Sequence, residues 1–344
     1  MKKYLAGLTL AEMENIVTEE FHQPKFRAKQ LYEWVYKAKE IDEMTNLPKN
    51  FRQELQLSYD SFALESKSVL KEQKSETEKY LLRTKDDIII EAVLLRYEHG
   101  SSVCVSTQAG CGMHCKFCAS GKNGLLRNLT AGEIISQVLI ISRLAGVEVT
   151  NIVLMGSGEP LNNYNEVKKF IYLANDEKAL NISIRKITLS TCGIIPGIRK
   201  MIDDELFVNL SLSLHSPIHE MRLDMMPAEK AYPVKDVIKA CDEYRAASKR
   251  RMTYEYCVIE GLNDTDECAN ELYKLIGHSD GLVNLIDVNS GSGAYDENTK
   301  GVCEVFKEKL DKRGINATLR RKLGSSINAA CGQLKAQYEA EYEE

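Results

Sequence analysis

From residue 101 onward the sequence alternates short β-branched runs with longer amphipathic stretches, and that alternation limits the folds open to it. Strands are predicted over 103–106, 151–155, 186–191, 208–214, 252–259 and 283–288. Helices are predicted between and after them, over 130–145, 165–175, 196–205, 233–248, 265–277 and 300–313. Thr130, with Glu133 three residues later, is a capping box that marks where the first of these helices begins. Crossovers between parallel strands are right-handed, so this repetition of βα units predicts an α/β fold with a partial (βα)6 TIM-like barrel. A doubly wound open sheet is the other arrangement that the pattern allows. In both, the chemistry gathers at the carboxyl ends of the strands.

The chain before residue 101 reads differently. Residues 1–60 are predicted helical: Thr9 and Glu12 form another capping box, and Met13, Ile16, Val17 and Phe21 follow at helical intervals. A second helix near 24–39 carries Phe26, Leu31, Trp34 and Val35 on one side. The run YLLRTKDDIIIEAVLLRYE has the composition of two strands with a turn at Lys85-Asp86-Asp87. The expected organisation is a helical N-terminal accessory domain (1–60), a β-hairpin extension (61–100), a core (101–315) and a C-terminal tail (316–344).

Composition excludes little beyond the membrane. The longest apolar runs, such as 134–141, are too short to span a bilayer, and Glu12 and Glu14 interrupt any secretory leader, so a cytoplasmic location is expected. The net charge of −5 does not announce a nucleic-acid partner. Basic residues cluster only locally, at Lys25, Arg27 and Lys29, at Lys249 to Arg251, and at Arg320 to Lys322, and each cluster alone reads as a solvated face.

Three of the ten cysteines crowd into Cys111-Gly-Met-His-Cys115-Lys-Phe-Cys118, directly after the first core strand. Clustered thiols without an export signal point to metal or catalysis. Three thiolates at this spacing can ligate three irons of a 4Fe–4S cluster and leave the fourth iron open to the amino and carboxylate groups of S-adenosylmethionine. Structural zinc would want a fourth ligand, for which only His114 is local. Gly156-Ser157-Gly158-Glu159-Pro160 follows the second strand. Gly158 permits close backbone approach and Glu159 offers an acceptor for an ammonium group. Leu161 stands where a dinucleotide fingerprint needs its third glycine. Ser190, the run Ser213-Leu214-His215, and Asn289 end later strands, and with Gly158 and Glu159 they form a candidate binding ring for S-adenosylmethionine.

Taken together, CVSTQAGCGMHCKFCASG, RNLTAGEI, LMGSGEPL, ITLSTCGI, SLHSP and AACGQL resemble the RlmN/Cfr family of radical SAM RNA methyltransferases over nearly the whole chain, and the RlmN branch more closely. The resemblance implies methylation of adenosine C2 in 23S rRNA and in tRNA. It also implies two S-adenosylmethionine molecules per turnover and a flavodoxin-type or other one-electron reductant. Cys331 matches the cysteine that the family methylates and from which a carbon radical then attacks the adenine ring. Cys104 matches the cysteine that resolves the resulting adduct through a disulfide with Cys331, and Glu91 matches the base that removes the ring proton. C8 methylation, as in the Cfr branch, is the alternative outcome, as is another RNA target. Cys192, Cys241, Cys257, Cys268 and Cys303 match no such role and read as packing.

The sequence departs from the family pattern at a few places. Met226-Pro227-Ala228-Glu229 replaces Met-Pro-Ile-Asn, Asp287 and Ser290 replace prolines, and Ser326 and Asn328 replace acidic residues. The cluster cysteines, Cys104, Glu91 and Cys331 are unaltered. The departures bear on how RNA or the tail is held rather than on the reaction.

Overall fold

The computed structural model describes residues 2–73, 75–289, 293–334 and 336–338. One eleven-stranded sheet organises it. Its strands are β1 (Glu65–Lys71), β2 (Glu78–Arg83), β3 (Ile88–Tyr97), β4 (Gly100–Cys104) and β5 (Val149–Leu154), followed by β6 (Ile187–Thr191), β7 (Asn209–Ser213), β8 (Thr253–Val258), β9 (Leu282–Asp287) and β10 (Ala317–Leu319). Each lies beside its neighbour in sequence. Strands β1 to β4 are antiparallel, and β4 to β10 are parallel. The tail adds a last short strand, pairing Gln337 with Ile89 on β3.

Helices α1 (Leu10–Asn15), α2 (Phe26–Tyr36) and α3 (Lys49–Ser58) precede the sheet. Helices α4 (Ala131–Ala145), α5 (Tyr164–Asn175), α6 (Ile195–Asp203), α7 (Val234–Ser248), α8 (Asp266–Ile276) and α9 (Val302–Asp311) each link consecutive parallel strands. The result is the partial (βα)6 barrel expected, with β10 added at its edge. The predicted capping boxes form at both places: Thr9 and Thr130 accept from the backbones of Glu12 and Glu133, whose side chains reach back.

Helix α4 is buried from Ala131 through Ile141, because the sheet covers one side and the N-terminal helical segment the other. The contact is close. A Cβ on Gly7 would come within 2.3 Å of the Gly132 backbone, so a glycine pair sets the spacing. Polar links fasten the same segment to the core: Tyr4 Oη lies 2.9 Å from Thr130 Oγ1, Lys169 pairs with Glu12 at 2.8 Å, and Tyr32 donates to Asp176 at 3.0 Å.

Two local expectations are corrected. The first helix does not continue to Phe21 as an α-helix; after Asn15 it becomes a π-helical turn over Ile16–Glu20, and Thr18 Oγ1 donates back to the Glu14 carbonyl. The β extension holds a further strand, β1, beyond the predicted pair. Its residues are mostly exposed on the sheet edge, so the sequence ESKSVLK lacks the apolar alternation of a half-buried strand.

Candidate functional site

The thiol loop follows β4 and is shaped by glycines. Gly110 takes φ +76°, and a Cβ there would sit 2.1 Å from the Gly124 carbonyl oxygen; the Cys111 amide donates to that same oxygen at 2.9 Å. Cys111, Cys115 and Cys118 all line one cavity of about 910 Å³ at the carboxyl ends of the parallel strands. His114 does not line that cavity, and its Nδ1 lies 3.1 Å from the Gly121 carbonyl oxygen. Among the described residues no three His, Cys, Asp or Glu side chains converge on one metal-ion position. The three thiols share the lining of that one cavity. Burial pushes the Cys111 thiol up to about 11, and Cys115 and Cys118 upward as well. Thiols so placed become thiolates when a metal takes the proton's place, so the donor set fits an iron–sulfur cluster.

The same cavity is lined by Gly158, Glu159, Ser190, Ser213, His215 and Asn289, so most of the predicted ring is brought together. Gly158 has φ +108°, with the Gln108 side chain 2.6 Å from where a Cβ would stand. Glu159 Oε2 accepts from the Cys192 amide at 2.8 Å and Oε1 from the Leu161 amide at 3.1 Å, so the carboxylate staples two strand ends as well as facing the cavity. Burial raises its pKa against those bonds. Ser190 and Ser213 hydroxyls lie 3.3 Å apart. His215 accepts the Cys257 amide on Nδ1 at 2.9 Å, which leaves the proton on Nε2. Burial, with Arg222 nearby, drives its pKa down to about 3, so the ring is neutral. Phe117 packs its ring 4.4 Å from that of His215. Leu214 differs: it does not line the cavity, its side chain is fully buried, its amide donates to the Glu255 carbonyl at 3.0 Å and its carbonyl accepts from Arg222 Nε at 3.0 Å, so the structure does not bring it into the ring.

A second cavity, about 980 Å³, lies on the outer side. Val93, Leu95, Tyr97 and Cys104 form one wall, and Arg320 to Leu323 with the tail form another. Cys331 and Cys118 line both cavities, as do Met155, Asp287, Asn289 and Arg320. The tail is fixed there by Ala119 N donating to the Gly332 carbonyl at 2.7 Å and Asn289 Nδ2 donating to the Cys331 carbonyl at 3.1 Å. Cys104 is buried, and burial pushes its thiol up to about 12. Cys104 and Cys331 are both free thiols. Glu91, on β3, is fully buried and lines neither cavity; its Oε1 accepts from Lys79 Nζ at 3.0 Å.

Four supporting residues carry no local signal in the sequence. Arg222, fully buried, donates to the carbonyls of Leu214, Cys192 and Ser213 at 3.0, 2.8 and 3.2 Å and pairs with buried Glu229. Glu255 accepts from Ser211 and Asn284 and lies 3.5 Å from Arg320. Lys79 is the third. Glu72 is the fourth: it accepts from Gly324 N, Ser326 N and Ser326 Oγ at 2.8, 3.2 and 2.7 Å.

These pairings account for most of the departures. Ser326 donates to a carboxylate that an acidic side chain would repel, and Glu229 is matched to Arg222. Asn328 sits at φ +50°, in the left-handed region that Asn tolerates. Asp287 Oδ1 accepts from Asn298 Nδ2 at 2.7 Å. Ser290 lies outside the described residues.

A (βα)6 barrel with three thiols and a polar ring at its carboxyl mouth defines a radical SAM protein, and the Radical SAM superfamily matches residues 105–275. The Ribosomal RNA large subunit methyltransferase N-terminal domain matches residues 4–59. A crystal structure of a radical SAM methyltransferase from Sphaerobacter thermophilus superposes with a TM-score of 0.92 at 39% identity, covering 96% of this chain and 99% of that one. The chain is 44% identical over 345 residues to the "Probable dual-specificity RNA methyltransferase RlmN" of Clostridium novyi, covering 98% of each. It is 45% identical over 339 residues to the protein of the same description from Clostridium perfringens, covering 98% of this chain and 97% of that one. The chain belongs to the RlmN family of radical SAM RNA methyltransferases. Among the described residues no helix is long and apolar enough to cross a membrane.

Proposed function

We propose that this chain methylates C2 of adenosine in 23S rRNA, and in tRNA, carrying the methyl carbon on Cys331. The observation that supports this best is the place of Cys331 in the wall between two cavities, with Cys118 lining both, Cys111 and Cys115 the inner one and Cys104 the outer. A 4Fe–4S cluster on Cys111, Cys115 and Cys118 would supply the electron that converts S-adenosylmethionine into the 5′-deoxyadenosyl radical. Gly158, Glu159, Ser190, Ser213, neutral His215 and Asn289 would hold S-adenosylmethionine in the inner cavity.

Cys331 gives up its thiol proton and takes a methyl group from the first of two S-adenosylmethionine molecules. Its buried neighbour does not compete, because burial keeps the Cys104 thiol protonated. The outer cavity then brings the methyl-derived carbon to the adenine. Once that carbon, its hydrogen atom lost to the 5′-deoxyadenosyl radical, has bonded to C2, one electron returns to the redox chain and Glu91 accepts the ring proton. Cys104 then attacks the Cys331 sulfur: the S–S bond forms as the sulfur–carbon bond breaks, and the Cys104 proton completes the methyl group on the departing base. A flavodoxin-type protein or another one-electron donor supplies the reductant, and the setting is the cytoplasm.

Nucleoside mass spectrometry of RNA from cells with and without the gene tests the assignment. The expected result is 2-methyladenosine that depends on the protein; dependent 8-methyladenosine in its place would move the chain to the alternative regiochemistry. A Cys331→Ala enzyme that still methylates RNA would refute the carrier role.

A further inference from the structure

Side chains at 91, 93, 95 and 97 share one face of β3. Three of them, Val93, Leu95 and Tyr97, line the outer cavity, while Glu91 lies at the covered end of the same face. The cover is the tail: Ala329 and Leu334 pack with Val93 and Cys104. Lys79 stands opposite Val93 in the β2–β3 register, which places it diagonally from Glu91 on that face. Its Nζ donates to Glu91 Oε1 at 3.0 Å and to the Asn328 carbonyl at 3.3 Å. Both side chains are sealed from water, at 5% and 0% exposure. One buried cation therefore joins the carboxylate to the backbone three residues before Cys331.

We propose that Lys79 is a positioning residue that locks the Glu91 carboxylate to the docked tail and orients it toward the outer cavity once the tail lifts. The proposal rests on Glu91 acting as the base. A buried ammonium needs acceptors for its protons, and losing the tail carbonyl leaves Glu91 as the partner that holds it in place. Carboxylate orientation thus shares these three groups with one of the tail's anchors, beside those at Ala119, Asn289 and Glu72. Methyl loading of Cys331 would use the inner cavity, where Asn289 and Ala119 hold Cys331 and Gly332 without Lys79, and it does not require Glu91.

The test uses reduced, cluster-loaded full-length enzyme, S-adenosylmethionine and unmodified 23S rRNA transcript. In Lys79→Gln the intact-mass gain from methylation of Cys331 is expected at the wild-type level. Methyladenosine product is expected to fall on the order of 100-fold, as for a misplaced reacting group, and RNA should stay attached to the protein through denaturation. Hydrogen exchange over 324–334 should rise roughly fivefold, the worth of one hydrogen bond. Lys79→Arg, which keeps the charge, should recover part of the product. Wild-type turnover and exchange in Lys79→Gln would overturn the proposal while Glu91→Gln remains inactive; full activity of Glu91→Gln would instead remove the base reading. Should Lys79→Gln not fold, the double variant with Glu91→Gln removes both charges together and is compared with Glu91→Gln alone. Faster tail exchange in the double variant is expected, and equal exchange overturns the proposal.

Discussion

Replacing Glu229 by glutamine isolates a buried charge pair that supports the binding ring. Glu229 and Arg222 are both fully buried, and Glu229 also accepts the Val234 amide at 3.0 Å and contacts His219 Nδ1 at 2.7 Å. The Glu229→Gln variant would keep the side chain's length and much of its hydrogen bonding but leave Arg222 as a buried cation facing only uncharged acceptors. Removing one partner of a buried pair costs about 3–5 kcal/mol, and the remaining carbonyl bonds favour the lower end. About 3 kcal/mol is two decades in the folded-to-unfolded ratio. With a urea slope of about 3 kcal/mol/M, the far-UV circular dichroism midpoint should fall by about 1 M. Because Arg222 holds the carbonyls of Cys192, Ser213 and Leu214, S-adenosylmethionine affinity should fall too. A midpoint within about 0.2 M of the parent, a loss of roughly 0.6 kcal/mol on the same slope, would refute the view that this pair holds the ring.

Two further predictions concern the tail and the shared wall. Burial works to raise Glu72, but hydrogen bonds from Ser75, Ser326 and Gly324 outweigh it and bring the pKa from 4.5 down to about 2. A depressed carboxylate stabilises above its unfolded pKa and loses that contribution as pH falls through its folded value. Tail docking should therefore hold from about pH 8 to 5 and weaken between about 4.5 and 2, whereas Glu72→Gln should expose the tail to protease roughly tenfold more at about pH 7, the scale of one charged hydrogen bond. Asp287 lines both cavities, so Asp287→Pro should change the ratio of rRNA to tRNA methylation while leaving methylation of Cys331 intact; an unchanged ratio would sever that link.

What the sequence made legible were features written in short windows. Thr9 with Glu12 and Thr130 with Glu133 fix helix starts within four residues, and the period of each apolar run separates strand from helix. The thiol loop is equally local, and ring residues at strand ends follow once the strands are placed. Contacts made across the chain left no such trace. Glu72 meets Ser326 across 254 residues and Lys79 meets Asn328 across 249. Arg222 and Glu229 are only seven apart, yet in sequence they look like an ordinary surface pair; only the packing of the short helix His219–Met225 against the strand ends buries them. Glu91 stands alone in the apolar run Ile88-Ile89-Ile90-Glu91-Ala92-Val93, but the cation that meets it follows only from the β2–β3 register.

The departures from the family pattern divide along the same line. Ser326, Asn328 and Glu229 each sit where a distant or buried partner has changed the local requirement: a carboxylate at Glu72, a left-handed backbone, a guanidinium at Arg222. None of the three lines either cavity. Such substitutions keep the tail and ring in place by other means, so the thiols, Cys104 and Cys331 remain in their arrangement. Asp287 is different in kind, because it puts a carboxylate into the wall between the two cavities. With one oxygen held by Asn298, the group is anchored at the wall, and its charge faces whatever enters. A change in the RNA that this chain accepts therefore traces to residue 287 before the other three, and a change in its chemistry traces to none of them.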